Sequence, residues 1–100
     1  MVALDARLIQ AICELGQKYE ARKIVLFGSR AKGSHRPNSD IDLAVYSIPG
    51  VTKEGSLAGE LDDLDTLLKI DVVFITEKTD RKLQDAVQKE GVVLYDRLSE

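Results

Sequence analysis

Two short motifs in the first half of the chain carry residue types that bind phosphate and metal ions. The first is GSRAKG at residues 28–33, which follows an apolar run, and the second is SDIDL at residues 39–43. Gly28 allows a phosphate group to approach the main chain closely. Ser29 can donate its hydroxyl, and the amides that follow it at a helix start point toward an anion. The two motifs together predict a site for a nucleoside triphosphate with Mg²⁺.

Three aspartates are the candidate metal ligands. Asp40 and Asp42 are two residues apart, so on a strand they point to the same face, where they repel each other unless a cation lies between them. An isolated pair of aspartates with this spacing is usually exposed to solvent and does not bind a metal ion. Asp71 changes that interpretation, because it interrupts the apolar run 70–75, where an ionised carboxylate is costly to bury without a partner. Carboxylates are the ligands that Mg²⁺ prefers, and two ions could activate an attacking oxygen and stabilise the leaving one.

Basic residues near the first motif are candidates for neutralising a triphosphate. Arg30 or Lys32 could fill this role, although the alternative for a basic cluster is solvated surface. The chemistry that such a site implies is in-line displacement at phosphorus, in which positioning and charge neutralisation provide most of the catalysis.

The elements that must position these residues alternate between helix and strand. Hydrophobic periodicity, glycines and capping residues predict the order α-β-α-β-α-β-α-β, hence one α/β domain over residues 1–100. The predicted elements are a helix over about 4–19, a strand over 24–27, a short helix from Ser29 to about Gly33, a strand over 41–46, a loop over 47–55, a helix over about 57–68, a strand over 70–75, a helix from Thr79 or Asp80 to about Glu90, and a strand over 92–95.

The connections between the strands predict where the motifs meet. The helix predicted over about 57–68 is a suitable crossover between parallel strands, which would bring Asp71 beside Asp40 and Asp42. The short connection from Gly28 to Asp40 favours an antiparallel first pair of strands. Three carboxylates and the glycine-serine turn would then share one edge of the sheet.

Charge and composition disfavour a nucleic-acid-binding protein and a membrane-spanning protein. The net charge of −3 gives no general attraction to nucleic acid, and the apolar runs are too short to cross a membrane. The amino terminus has no long apolar segment typical of a signal peptide. Cys13 is the only cysteine, so it cannot form an internal disulfide, and a cytoplasmic location is the simplest interpretation. Its place beside the apolar stripe of the first helix predicts a core residue rather than a nucleophile.

The two motifs, the five residues between them and the later Asp71 resemble the signature of the polymerase-beta-like nucleotidyltransferases, whose fold is a mixed β-sheet flanked by helices. The length is similar to that of the minimal nucleotidyltransferases. The resemblance implies that Asp40, Asp42 and Asp71 are catalytic and hold Mg²⁺. It also implies a nucleotide-binding set, which is Gly28, Ser29, Arg30, Lys32 and Ser39.

Minimal nucleotidyltransferases are commonly encoded beside a HEPN-domain partner. The resemblance therefore implies an antitoxin that transfers AMP from ATP to a hydroxyl of a HEPN toxin. Two alternatives stay open, which are a non-catalytic antitoxin that acts by contact alone and a subunit that modifies a small-molecule acceptor. The sequence leaves the oligomeric state open as well.

Overall fold

The computed structural model describes residues 4–34, 39–64 and 66–97, and its elements follow the predicted order. Asp5 begins the first helix by accepting a hydrogen bond from the Arg7 amide at 2.8 Å, and Gly91 ends the last helix. The elements are α1 (Ala6–Lys18), β1 (Ala21–Phe27), α2 (Ser29–Lys32), β2 (Ile41–Ser47), α3 (Glu54–Asp62), β3 (Ile70–Ile75), α4 (Arg81–Glu90) and β4 (Val92–Asp96).

The four strands form one mixed sheet in the order β3-β2-β1-β4. β1 is antiparallel to both β2 and β4, whereas β2 and β3 are parallel. The predicted antiparallel first pair and the predicted parallel crossover through α3 are both confirmed. These two connections bring the start of β2, the start of β3 and the end of β1 to the same edge of the sheet.

Alternating strand residues divide the apolar core into two layers. One layer packs between the sheet and the helices α1 and α3, and it is formed by fully buried residues such as Ile12, Leu43 and Leu61. The other layer lies under α4, where Val87 packs with Val25, Ala44 and Ile75. The second layer shares its sheet face with Asp42 and Asp71, because side chains two residues apart on a strand point the same way.

The helix predicted over about 57–68 is too long at its end. α3 spans Glu54–Asp62, and Leu64 and Leu68 lie in the loop that follows it, where both still pack against the core. Leucine spacing alone therefore misplaced the end of the helix, since a loop satisfied the same apolar positions. The chain needs this loop to return to the start of β3.

The loop between β2 and α3 is held by hydrogen bonds to the turn between α1 and β1. The Thr52 hydroxyl donates to the Glu20 carbonyl at 2.6 Å and accepts from the Ile48 amide at 2.7 Å. The Lys53 amide donates to the Tyr19 carbonyl at 3.2 Å. Glu20 itself has a positive φ of 57°, so these contacts hold the turn in a conformation that a non-glycine residue adopts at some cost.

We expect Thr52→Val to lower the free energy of unfolding by about 1–2 kcal/mol, because it removes a donor and an acceptor while keeping the side-chain shape. Urea unfolding followed by circular dichroism measures this change. Ser56→Ala, at an exposed position of α3, is the control and should change stability by less than about 0.5 kcal/mol. Equal effects of the two substitutions would contradict the role assigned to Thr52.

Among the described residues, no helix is both long enough and apolar enough to span a bilayer.

Candidate active site

Asp42 and Asp71 are direct neighbours across the parallel strands β2 and β3. The strand register pairs Asp42 with Asp71 on one side and with Phe27 on the other. Gly28 directly follows Phe27, so the glycine-serine turn begins where the two carboxylates meet. The predicted meeting of the first motif, the second motif and Asp71 is therefore present in the fold.

Asp42 lies close to two other negatively charged side chains. Burial raises the pKa of the Asp42 carboxyl above its ordinary value, and the nearby charges of Asp71 and Asp40 raise it further. Ionisation of this carboxyl is therefore more costly in the folded protein than in water. A cation bound among these groups would relieve both the repulsion and the desolvation.

A lysine lies at the start of β3 beside Asp71. The Lys69 Nζ is 3.5 Å from the Asp71 Oδ1, and the two side chains are 70% and 45% exposed. Lys69 also holds the start of β2, because its carbonyl accepts a hydrogen bond from the Ile41 amide at 2.8 Å. An exposed pair of this kind contributes little to stability, so Lys69 can release Asp71 readily.

The main chain at Gly28 lies directly against Asp42. Gly28 has φ 78° and ψ −156°, a conformation that is essentially restricted to glycine. A Cβ atom at this position would lie 2.5 Å from the Asp42 Oδ2, which is closer than real Cβ contacts. The glycine is therefore required twice, once for its backbone angles and once for the space next to the carboxylate.

Asp40 occupies a different position from the other two acids. It is exposed and lies just before β2 begins at Ile41, although its charge still acts on Asp42. In the three described ranges of the chain, no three acidic, histidine or cysteine side chains are grouped closely enough to hold a metal ion as they stand. The structure thus brings Asp42 and Asp71 together and leaves Asp40 at the border, so a ligand role for all three acids stays a prediction.

The remaining candidate residues are divided between the turn and the surface. Ser29 is half-buried and begins α2. Lys32 is half-exposed at the end of α2 and forms an ion pair with Glu90 of α4 at 3.2 Å. Their roles in nucleotide binding stay predictions.

Arg30 and Ser39 contact each other. The Arg30 Nε donates a hydrogen bond to the Ser39 carbonyl at 3.0 Å, and Arg30 is only 7% exposed. The sequence prediction had placed Arg30 among phosphate-contacting residues, and no pattern in the sequence indicated its burial. The sequence pattern did not indicate the position of Lys69, because the strand start that it holds depends on the sheet register.

A separate cavity lies at the opposite ends of β2 and β3. It measures about 680 Å³, and Tyr46, Ile75 and Gln84 are among its lining residues. Tyr46 is four residues from Asp42 along β2, or about 13 Å. Ala44 is fully buried between them under α4. The cavity is therefore not continuous with the carboxylates.

The site combines a mixed sheet, a glycine-serine turn and two aspartates paired on adjacent parallel strands. This arrangement is typical of a nucleotidyltransferase. The chain belongs to the family described as polymerase beta, nucleotidyltransferase, whose model matches residues 10–100. The predicted family, fold class and general enzyme class are thereby confirmed.

The chain is also similar to individual proteins. A protein from Methanocaldococcus jannaschii, provisionally named a protein adenylyltransferase, is 37% identical over 68 residues, which are 66% of this chain and 76% of the relative. A crystal structure of a toxin–antitoxin with AMP-PNP is 27% identical and has a TM-score of 0.68, over 91% of this chain and 75% of that chain.

A third likeness concerns the fold. The structure of an MNT antitoxin with a tri-AMPylated HEPN toxin of Shewanella oneidensis has a TM-score of 0.65 over 93% of this chain and 73% of that chain, at 23% identity. The arrangement of helices and strands is thus shared across this range of sequence identity.

Proposed function

We propose that this protein transfers AMP from ATP to a hydroxyl group of a partner protein, a HEPN toxin, and so acts as its antitoxin. The observation that carries the proposal is the adjacency of Asp42 and Asp71 beside the Gly28 turn. The relative provisionally named a protein adenylyltransferase supports a protein as the acceptor. The toxin–antitoxin structure with AMP-PNP supports ATP as the donor and a toxin as the partner.

The donor set fits Mg²⁺. This ion commonly binds through one or two carboxylates together with substrate phosphates, and Asp42 and Asp71 offer two adjacent carboxylates. Burial and the charges of Asp71 and Asp40 raise the pKa of Asp42, and a bound cation would offset both effects. We assign Mg²⁺, as one or two ions, to Asp42 and Asp71 with Asp40 as the third ligand. When bound, Mg²⁺ neutralises the charge of the phosphates and of the reacting oxygen atoms.

The chain's own residues would orient the donor and the acceptor. Gly28 and Ser29 would hold the outer phosphates at the end of β1, on the opposite side of Asp42 from Asp71. The acceptor oxygen would bond to the α-phosphorus as the bond to pyrophosphate breaks. In-line geometry then places the acceptor over β3, where Asp71 can take the hydroxyl proton.

An antitoxin that acts by contact alone is the main competing hypothesis. Inhibition by contact alone does not need carboxylates that repel each other. The raised pKa of Asp42 indicates that the charges of this cluster oppose folding in the protein without a cation. A cytoplasmic location is part of the proposal, because ATP and the partner must both be available there and Cys13 is the single cysteine of the sequence.

Label transfer tests the proposal directly. The protein is incubated with Mg²⁺, ATP labelled at the α-phosphate and the HEPN protein proposed as its partner, and the intact mass of the partner is measured. We expect a mass increase of one or more AMP groups, with no transfer from ATP labelled at the γ-phosphate. Neutralisation of the partner without any added mass, by the wild type and by Asp42→Asn alike, would establish the contact hypothesis instead.

Lys69 provides a test of the metal assignment. Because its ammonium group competes for Asp71, we expect Lys69→Met to lower the Mg²⁺ concentration that gives half-maximal thermal stabilisation with AMP-PNP by about 1.4- to 5-fold, as an exposed ion pair is worth about 0.2–1 kcal/mol. Lys18→Met removes a similar exposed pair with Glu60 and is the control. A higher Mg²⁺ requirement in Lys69→Met would contradict the competition.

A further inference from the structure

Arg30 differs from the other charged residues in its burial. It is the one charged side chain among the described residues that is buried, at 7% exposure. A buried guanidinium is tolerated only when its donors are hydrogen-bonded, and its Nε donates to the Ser39 carbonyl at 3.0 Å. An arginine that reached out to a triphosphate would keep its donors open to the solvent. The burial of Arg30 therefore indicates a contact within the protein.

The Arg30 hydrogen bond joins the two motifs of the site. Arg30 is two residues after Gly28, and Ser39 directly precedes Asp40. The bond thus fixes α2 to the main chain that leads into β2. On the other side of Asp40, the Ile41 amide donates to the Lys69 carbonyl at 2.8 Å. The exposed Asp40 therefore lies between two anchored points, one tied to the phosphate turn and one tied to β3.

We propose that Arg30 is a positioning residue, which fixes the backbone before Asp40 against α2 and thereby sets Asp40 and Asp42 relative to the Gly28 turn. The inference rests on the proposed function for its kinetic consequence, since Arg30 would act through Asp40 and would not touch the nucleotide. Arginine is needed because its rigid planar guanidinium holds the Nε donor in a fixed direction. A lysine would keep the positive charge and lose this geometry.

Arg30→Lys separates positioning from phosphate binding. If Arg30 positions Asp40, we expect the kcat for AMP transfer to fall about 10-fold or more while the KM for ATP changes less than about 2-fold, as the loss of a hydrogen bond to a charged group implies. If Arg30 instead contacts the triphosphate, Arg30→Lys keeps most of the kcat, and Arg30→Gln raises the KM for ATP. This second pattern would overturn the inference. Arg22→Lys, at an exposed position of β1, is the control for an arginine-to-lysine change.

Amide hydrogen exchange supplies a readout that needs no acceptor. In folded Arg30→Lys, we expect exchange at the Ile41 amide to accelerate about 10-fold or more. The core amides of Ile24 and Leu26 should stay within about 2-fold of the wild type. Unchanged exchange at Ile41 would contradict the inference. A wild type that transfers no AMP would contradict only the proposed function, because the exchange measurement would still decide the role of Arg30.

Discussion

Asp42→Asn should abolish AMP transfer and, in the absence of Mg²⁺, make the protein more stable. The loss of transfer should reach at least about 100-fold, the usual effect of removing a group that stabilises charge in the transition state. The gain in stability follows from the repulsion between Asp42 and its neighbours Asp71 and Asp40. After allowance for the solvent screening of a half-exposed carboxylate, we expect about 0.5–1 kcal/mol, or about 2–5 °C in Tm.

The pH dependence of this gain has a defined sign. The folded state raises the pKa of Asp42 above its ordinary value of 3.8, so folding favours the protonated carboxyl. The stability linked to this group is fully present below that value and is lost as the pH rises through the folded pKa. Wild type and Asp42→Asn should therefore have similar Tm values in acid, and the variant should become the more stable one toward neutral pH.

Thermal unfolding with and without Mg²⁺ and AMP-PNP measures both effects. Mg²⁺ with AMP-PNP should raise the Tm of the wild type and should have a smaller effect on Asp42→Asn. Asp85→Asn, on the exposed surface of α4, changes the net charge equally and is the control. If Asp42→Asn were less stable than the wild type at neutral pH without metal, the account of the clustered carboxylates would be wrong.

Gly28→Ala should combine a loss of stability with a loss of activity. The backbone conformation at Gly28, with a φ of 78°, costs a residue with a Cβ about 1–3 kcal/mol. The new methyl group would also lie 2.5 Å from the Asp42 Oδ2, so the carboxylate or the turn must move. We expect transfer to fall about 100-fold in the protein that remains folded, because small displacements at a reacting centre are costly.

Gly50→Ala is a matched control for the backbone effect. Gly50 also has a positive φ, of 74°, yet a Cβ there meets no atom within 4 Å. It should lower stability and leave the transfer rate per folded molecule unchanged. Denaturant unfolding and single-turnover transfer separate the two contributions. Equal activity of the folded Gly28→Ala and Gly50→Ala proteins would refute a special role for the contact between Gly28 and Asp42.

The sequence predicted the adjacency of Asp42 and Asp71 because that adjacency follows from topology. A helix of several turns between two short apolar runs favours a parallel crossover, and the crossover brings the starts of both strands together. The short connection after Gly28 likewise required an antiparallel neighbour. Both predictions depend on patterns that a chain cannot satisfy in many other ways.

The burial of Arg30 and the position of Asp40 could not be predicted in the same way. The sequence of a glycine-serine motif is the same whether its arginine contacts a phosphate or a carbonyl of its own chain. The Ser39 carbonyl that Arg30 contacts is a main-chain group, which is present at every residue and leaves no mark in the sequence. The alternation rule holds within a strand, and Asp40 lies one residue before β2 begins at Ile41, so its role as a ligand stays a prediction.

The order of the strands has a consequence for the size of an acceptor. Within residues 4–34, 39–64 and 66–97, β3 is the outermost strand on its side of the sheet, and the strand neighbour of Asp71 is Asp42. A hydroxyl carried on a large folded molecule can reach an outermost strand by rigid approach, whereas a central strand would be reached only through a narrow opening. Turnover on a bulky acceptor would then be limited by encounter and release of the two molecules rather than by a hinge movement of this one.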